Sequence, residues 1–526
     1  MESLPSRQNV GIRGLYVYFP RLVVQQVDLE QADSCSGKYT VGLGQEAMTF
    51  CGDREDVVSM AATAVLRLLE AAGVALTDIG KIEVGTETGV DRSKSVMSYL
   101  VQHFQQQGNT TLQGSDHMHG CYGGTAALLS VADWVGSPSW DGRLGLAVAT
   151  DIAVYPEGSP ARPTGGSGAA ALLIGPDAPL VLEQLPWRSH FAAHTFDFFK
   201  PHGHPLYPVV DGPATTLWFT KAADACAAQL YQQLKPLLQQ QQQQQHACQC
   251  QQQQQQCEQQ QLPGLLSCFD QFLSHAPYNK IVRKVFARLV LQDMLRAHQQ
   301  QLPEVVQTAV NSSSGSSSSS VIRQRLQLPP LPAEAAGLDP ACLSEASILD
   351  RQLEKALLAA SSALYEQMAA QGAALQRQLG NLYTASLFSG LAGLLAQQGP
   401  CLAGKRLLCF SYGSGVVASM FCLRGRDVPQ QQQQCDLQEQ QPLQRGWQRQ
   451  DCSLQRMADM LALPQRLQQR LHRSVAAFDA AMASLRAAYG AAPYVPGFGP
   501  LEELEEGVVY LERIDEQFRR YYARRQ

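Results

Sequence analysis

Short apolar runs, separated by glycine-rich turns and amphipathic stretches, fill the first third of the chain. "VGIRGLYVYFP", "IGKIEVGTETG", "GRLGLAVATDIAVY" and "GAAALLIGPDAPLVLEQL" are short and apolar and are bounded by Gly or Pro, which predicts strands. Between the first two, "MAATAVLRLLEAAG" repeats its apolar positions at helical spacing and stops at a glycine, which predicts a helix. Strands alternating with helices imply a layered α/β fold. The same grammar returns in "LEKALLAASSALYEQMAAQ", "GNLYTASLFSGLAGLLAQQG" and "GKRLLCFSYGSGVVASMFCLRG". The tail from Met457 onward is expected to be mostly helical.

Three polar stretches interrupt this pattern. Gln239 to Gln261 is almost entirely glutamine, with too little apolar surface to offset the entropy of ordering, and is expected to be a disordered surface insertion. A serine-rich stretch at 309–322 and a second glutamine-rich stretch at 429–450 are expected to be loops of the same kind. Order resumes after the first tract with the strand "CFDQFLS" and a helix opening near Pro277.

Composition narrows the picture. A chain of 526 residues, 45% hydrophobic and 17% charged with 42 glycines, can bury more than one core. Its net charge of -5 supplies no global basic field for nucleic acid or an anionic membrane, so an anionic ligand must be met by local charge. The 14 cysteines show no regular spacing, and several sit inside apolar runs, which suits reduced thiols. No apolar run approaches the roughly 20 residues needed to span a bilayer, and "MESLPSRQNV" has no secretory pattern, so cytosol is the expected location.

The segment "SDHMHGCYGGTAALL" holds the sharpest chemistry. As an extended strand it would put His117, His119 and Cys121 on one side, like a metal site. As a tight strand-to-helix turn it would put Cys121 at the start of a helix, where unpaired backbone N–H groups favour thiolate. The residues alone leave both open. A faint internal echo relates "CYGGTAALL", followed by a strand pair, to "NLYTASLFSGL", also followed by one. Two duplicated halves facing each other would bring Cys121 and Asn381 near a shared site.

Many segments, in order, closely resemble eukaryotic-type 3-hydroxy-3-methylglutaryl-CoA synthases: "GKYTVGLGQEAM", "EVGTETGVDRSKSV", "GCYGGTAAL", "ARPTGGSGAAALLIGPDAPL", "DFFKP", "HAPYNKIVRKVFARL", "GNLYTAS", "FSYGSG" and "YYARR". The resemblance implies a thiolase-like fold of two related βαβαβ halves in an α/β/α/β/α arrangement, residues 9–180 and 181–526, usually as a homodimer. It implies condensation of acetyl-CoA with acetoacetyl-CoA and water, with CoA thioesters as substrates and neither cofactor nor metal. By resemblance Cys121 is the acetyl carrier, Glu87 the general acid/base and His275 the residue facing the acetoacetyl carbonyl. Asp151 and Asp197 match supporting carboxylates. Thr164, Thr215, Asn381 and Ser414 match contacts to the acyl substrate or CoA, and Lys280 and Lys284 match contacts to CoA. Pro160 stands where the family commonly has asparagine, and Thr215 where relatives have serine.

Each of these positions also has a plain structural reading: a solvated loop acid, a helix cap, a turn hydroxyl or an exposed lysine pair. Two other functions compete. A ketoacyl or polyketide synthase would act on malonyl groups, and "VGTET" with Glu87 argues against it. A metal-binding scaffold would use His117, His119, Cys121 and "HACQC", but the last lies in glutamine-rich sequence without a rigid frame.

Overall fold

The computed structural model describes residues 8–201, 206–253, 262–299, 321–322, 326–426, 447 and 452–526. Its centre is a ten-stranded sheet built of β1 (Gly11–Tyr18), β2 (Ile79–Gly85), β3 (Asp116–His117), β4 (Leu144–Ala153), β5 (Gly166–Gly175), β6 (Leu180–Leu182), β7 (Arg188–Ala192), β8 (Gln271–Ser274), β9 (Arg406–Gly413) and β10 (Val417–Gly425). The hydrogen-bonded order is β8-β9-β10-β6-β1-β5-β4-β2-β3, with β7 paired to β10.

The internal echo is real in three dimensions. In the first half β2 runs parallel to β4, and β4 antiparallel to β5. In the second, β8 runs parallel to β9, and β9 antiparallel to β10. A helix precedes the strand pair in each: α2 (Gly123–Gly136) before β4 and α5 (Ser386–Gln398) before β9.

Strand alternation assigns the layers. On β4, Thr150 donates its hydroxyl to the Val57 carbonyl at the start of α1 (Val57–Ala72), at 2.8 Å. Its neighbours of opposite parity turn the other way: Gly145 lies against Val131 and Trp134 of α2, and Ala149 against Gly124. On β9, Ser411 meets Thr125 of α2 at 2.8 Å, whereas Phe410 and Tyr412 stack on Phe219 of α3 (Gly212–Gln253). Helix α4 (Asn279–Gln299) joins that outer layer, its Arg288 paired with Asp224 of α3. The result is the expected α/β/α/β/α order, with α2 and α5 in the middle and a core on each side.

Two sequence expectations change. The tail is helical at Leu454–Leu461 and Val475–Ala488, but it ends in a β-hairpin, Val509–Ile514 with Arg520–Arg524. Its residues return to α1: Arg520 and the Tyr522 hydroxyl both donate to Asp56, the N-cap of α1, and the Val509 N–H donates to Thr63. These long-range partners decide the hairpin, and nothing local in "YYARR" announces them.

The start of the first glutamine tract, 239–253, is the other. Helix α3 continues to Gln253, because glutamine is a good helix former once an anchored segment has nucleated the helix. Gln241 also accepts the Val321 and Ile322 N–H groups at 2.7 and 3.1 Å. Residues 254–261, 309–320, 429–446 and 448–450 of the three insertions lie outside the described residues, while Trp447 is buried beneath Arg13. Removing 245–261 with a Gly/Ser linker should therefore leave melting temperature and turnover near wild type. Removing 239–261 should lower the melting temperature further, since each lost Gln241 hydrogen bond contributes about 1 kcal/mol. Equal melting of the two deletions would show that Gln241 anchors nothing.

Candidate active site

Glycine lets the two halves of the site approach. A Cβ on Gly85, the last residue of β2, would lie 2.2 Å from the backbone of Gly123 and Gly124 at the head of α2. Only bare backbone allows that contact. The turn after β2 is thereby pressed against the turn before α2, and Cys121 Sγ sits 3.5 Å from Glu87 Oε1.

Asp151, the fully buried carboxylate near the end of β4, holds this arrangement. Its Oδ1 accepts the Glu87 N–H at 2.9 Å and the Thr86 and Thr88 hydroxyls at 3.0 and 2.8 Å. Its Oδ2 accepts the N–H and hydroxyl of Thr384, which precedes α5. One carboxylate thus ties the Glu87 turn to the second half. Burial pushes the Asp151 pKa up, opposed by Lys200 and by these donors.

Asn381 and Thr164 order the same wall. The Asn381 side chain accepts the Tyr383 N–H at 2.8 Å, and the Thr164 carbonyl accepts the Asn381 N–H at 3.0 Å. Thr164 spends its hydroxyl on the Ala161 carbonyl, at 2.7 Å. The Tyr383 hydroxyl then meets that of Tyr155 at 3.0 Å, and both rings pack with Ala153 beside Cys121.

Asp197 is equally buried and secures another wall: its carboxylate accepts the Tyr412 hydroxyl and the Gly415 N–H, each at 3.0 Å. Ser414 lies in that turn, next to the Tyr412 hydroxyl. The Thr215 hydroxyl donates to the carbonyls of Asp211 and Asp197, at 2.9 and 3.2 Å, so it too orders this region.

His275 follows β8 and is 1% exposed, with its N–H on the Phe410 carbonyl and its ring 6.1 Å from that of Phe219. Neither ring nitrogen has a hydrogen-bond partner among the described residues. A buried, unsatisfied imidazole is costly, and both His275 ring nitrogens stand open to a hydrogen-bonding group.

Burial sets the charge states. It pushes Glu87 up to about 7, with Lys200 drawing it down and Asp151 pushing it up. It pushes His275 down to about 3, so the imidazole is neutral and donates one N–H. Cys121 differs from expectation. Burial, the Glu87 carboxylate and Asp151 raise its pKa, and the residue stands one position before the Tyr122 N-cap, so the resting group is a thiol rather than a thiolate.

The lysines part company. Lys284 forms an ion pair with Glu354 at 2.9 Å, whereas Lys280, half-buried at the start of α4, has no ion-pair partner among the described residues. The histidines of the metal reading are also separated by their partners: His117 contacts Glu83 at 3.0 Å, while His119 packs edge-on to Tyr122. No group of three or more His, Cys, Asp or Glu side chains able to hold a metal ion occurs among the described residues.

Sequence reasoning passed over Lys200, Tyr155, Tyr383 and Tyr412. Lys200 stands in the quoted "DFFKP", and its Nζ donates to the Glu87 carbonyl at 3.3 Å while lying over the Tyr383 ring at 4.7 Å. A signal was present, a lysine three residues after a supporting carboxylate.

Known proteins resemble this chain along its length. The family described as hydroxymethylglutaryl-coenzyme A synthase N terminal matches residues 6–179, and its C-terminal counterpart matches 180–327 and 335–525. The chain is 37% identical to the cytoplasmic hydroxymethylglutaryl-CoA synthase of Homo sapiens, across 98% of this chain and 88% of that protein. It is 36% identical to the hydroxymethylglutaryl-CoA synthase of Ganoderma lucidum, across 100% and 97%. Among solved structures, MvaS in complex with 3-hydroxy-3-methylglutaryl coenzyme A superposes with a TM-score of 0.71 at 25% identity, covering 99% of this chain and all of that one. With a half-buried cysteine–glutamate pair at the junction of two duplicated halves, and relatives matched along its whole length, the chain belongs to the hydroxymethylglutaryl-CoA synthase family.

Proposed function

We propose that the protein condenses acetyl-CoA with acetoacetyl-CoA and water to give 3-hydroxy-3-methylglutaryl-CoA and CoA, the acyl transfer that feeds mevalonate and isoprenoid synthesis. The observation that carries the assignment of roles is the 3.5 Å contact between Cys121 Sγ and Glu87 Oε1. Cys121 attacks the acetyl thioester, and CoA leaves with the thiol proton. The acetyl methyl then lies two bonds from the sulfur, within reach of a carboxylate already touching that sulfur. Glu87 takes a methyl proton, and the carbon so freed attacks C3 of acetoacetyl-CoA.

As the new bond forms, the C3 oxygen gains charge, the unpartnered N–H of the neutral His275 stabilises it by a hydrogen bond, and the proton Glu87 took from the methyl passes to that oxygen, leaving Glu87 ionised again. Water finally cleaves the thioester to Cys121. Asp151 and Asp197 position these groups, Asn381, Thr164, Thr215 and Ser414 shape the acyl walls, and Lys280 meets CoA phosphate. Lys284 serves CoA only if its pair with Glu354 opens. The chemistry needs neither metal nor cofactor beyond the thioester substrates.

The relatives named cytoplasmic, and a described chain in which no helix is long and apolar enough to cross a membrane, support a cytosolic enzyme. A homodimer is supported by the open edge at β3 with Met118 exposed beside it, and sedimentation should find twice the chain mass. The direct test of function incubates the protein with labelled acetyl-CoA, maps the label, and chases with acetoacetyl-CoA. Label on Cys121 that moves into 3-hydroxy-3-methylglutaryl-CoA supports the reading; absence of that product rejects it.

A further inference from the structure

A cationic side chain beside the Cys121–Glu87 pair, Lys200, has no assigned role. Lys200 follows the short pairing of Phe198–Phe199 with Val209–Val210 and is only half-buried. Its stem is nevertheless held: the ammonium lies 4.7 Å from the Tyr383 ring centre and 5.6 Å from that of Phe198, and these rings meet edge to face at 5.8 Å. Nζ donates to the Glu87 carbonyl at 3.3 Å. Lys200 forms no ion pair among the described residues, and its field falls on Glu87, Asp151 and Cys121 together.

We propose that Lys200 is a positioning residue for Glu87: its ammonium fixes the Glu87 turn and supplies the positive charge against which the carboxylate works. The proposal rests on the reading of Glu87 as the base for the acetyl methyl. Glu87 is faced by Cys121 from the turn before α2, by Asp151 from β4, by Tyr155 and Tyr383 from the two walls, and by Lys200. Lys200 is the one cation in that set. Burial and Asp151 favour the protonated acid, and a protonated Glu87 cannot take a proton from carbon. Once Cys121 is acetylated its thiol proton is gone, and Lys200 is the group that keeps the base ionised near neutral pH.

The sign is testable. Removing the ammonium leaves burial and Asp151 unopposed, so Glu87 ionises at higher pH and the rising limb of the condensation profile moves up. The full-length protein, as wild type, Lys200→Met and Lys200→Arg, is acetylated with labelled acetyl-CoA. It is then chased with acetoacetyl-CoA in single turnovers across pH. In Lys200→Met the limb should move up by at least about one pH unit, with about a tenfold loss at pH 7 that is recovered at higher pH. The KM for acetoacetyl-CoA should stay unchanged, and Lys200→Arg should keep the limb near wild type.

An unmoved limb in Lys200→Met, an equal loss at every pH, or a raised KM at constant kcat overturns the proposal. The last would make Lys200 a substrate contact. If wild type forms neither acetyl-enzyme nor product, the reading of the whole site falls with it. If wild type forms both and the limb stays in place, only the assignment of Lys200 falls.

Discussion

Cys121→Ser will abolish acetyl capture, with labelling at background and turnover lower on the order of 10³-fold or more, the scale seen when a covalent nucleophile is lost. A serine hydroxyl stays protonated where a thiol can ionise, and an oxygen ester is a poorer acyl donor than a thioester. The substitution is nearly isosteric, and the Cys121 sulfur has Glu87 as its hydrogen-bonding neighbour. The fold should therefore survive, which circular dichroism and melting check independently. Turnover within tenfold of wild type would reject the acetyl-cysteine route.

Glu87→Ala separates the two halves of the reaction. Condensation should fall about 10²–10⁴-fold, the usual contribution of a positioned acid–base group, while labelling of Cys121 persists. The electrostatics add a direction. The Glu87 carboxylate raises the Cys121 pKa, so its removal lets the thiol ionise at lower pH, and the rising limb of the labelling profile should move down. Burial and Asp151 still act on the thiol, so the limb stays above that of a free cysteine. If Glu87→Ala folds but cannot be acetylated, Glu87 serves the thiol and not the methyl. His275→Ala should also be acetylated yet fail to condense, because its neutral imidazole faces the second substrate. Quench-flow labelling followed by an acetoacetyl-CoA chase reads both steps.

Much of the architecture was written locally. Val57–Ala72 reads as a helix because its apolar spacing, its Asp56 cap and its Gly73 stop agree, and Gly73 takes the left-handed φ of 67° that such a stop needs. Strands β4 and β5 read as strands because ten-residue apolar runs bounded by turns, buried along their whole length, have few other homes. The doubled order of helix and strand pair was legible for the same reason. Cys121, Glu87 and His275 were singled out by the family resemblance of the motifs around them, and the structure sets Cys121 and Glu87 in contact.

What the tertiary structure alone decided is what depends on partners far away in the chain. The raised pKa of the Cys121 thiol follows from burial and from carboxylates far along the chain, Glu87 34 residues away among them, and the sequence at the head of α2 pointed the other way. The partner of Lys284 is Glu354, on a helix whose docking no spacing rule foretells. The terminal hairpin exists because Asp56 and Thr63 receive it across more than 440 residues. Lys200 was not singled out in the sequence, and only folding laid it over Tyr383 beside Glu87. Periodicity and caps are local energies and can be read along the chain; charge state and ion pairing depend on distance in space and burial, which only the folded molecule supplies.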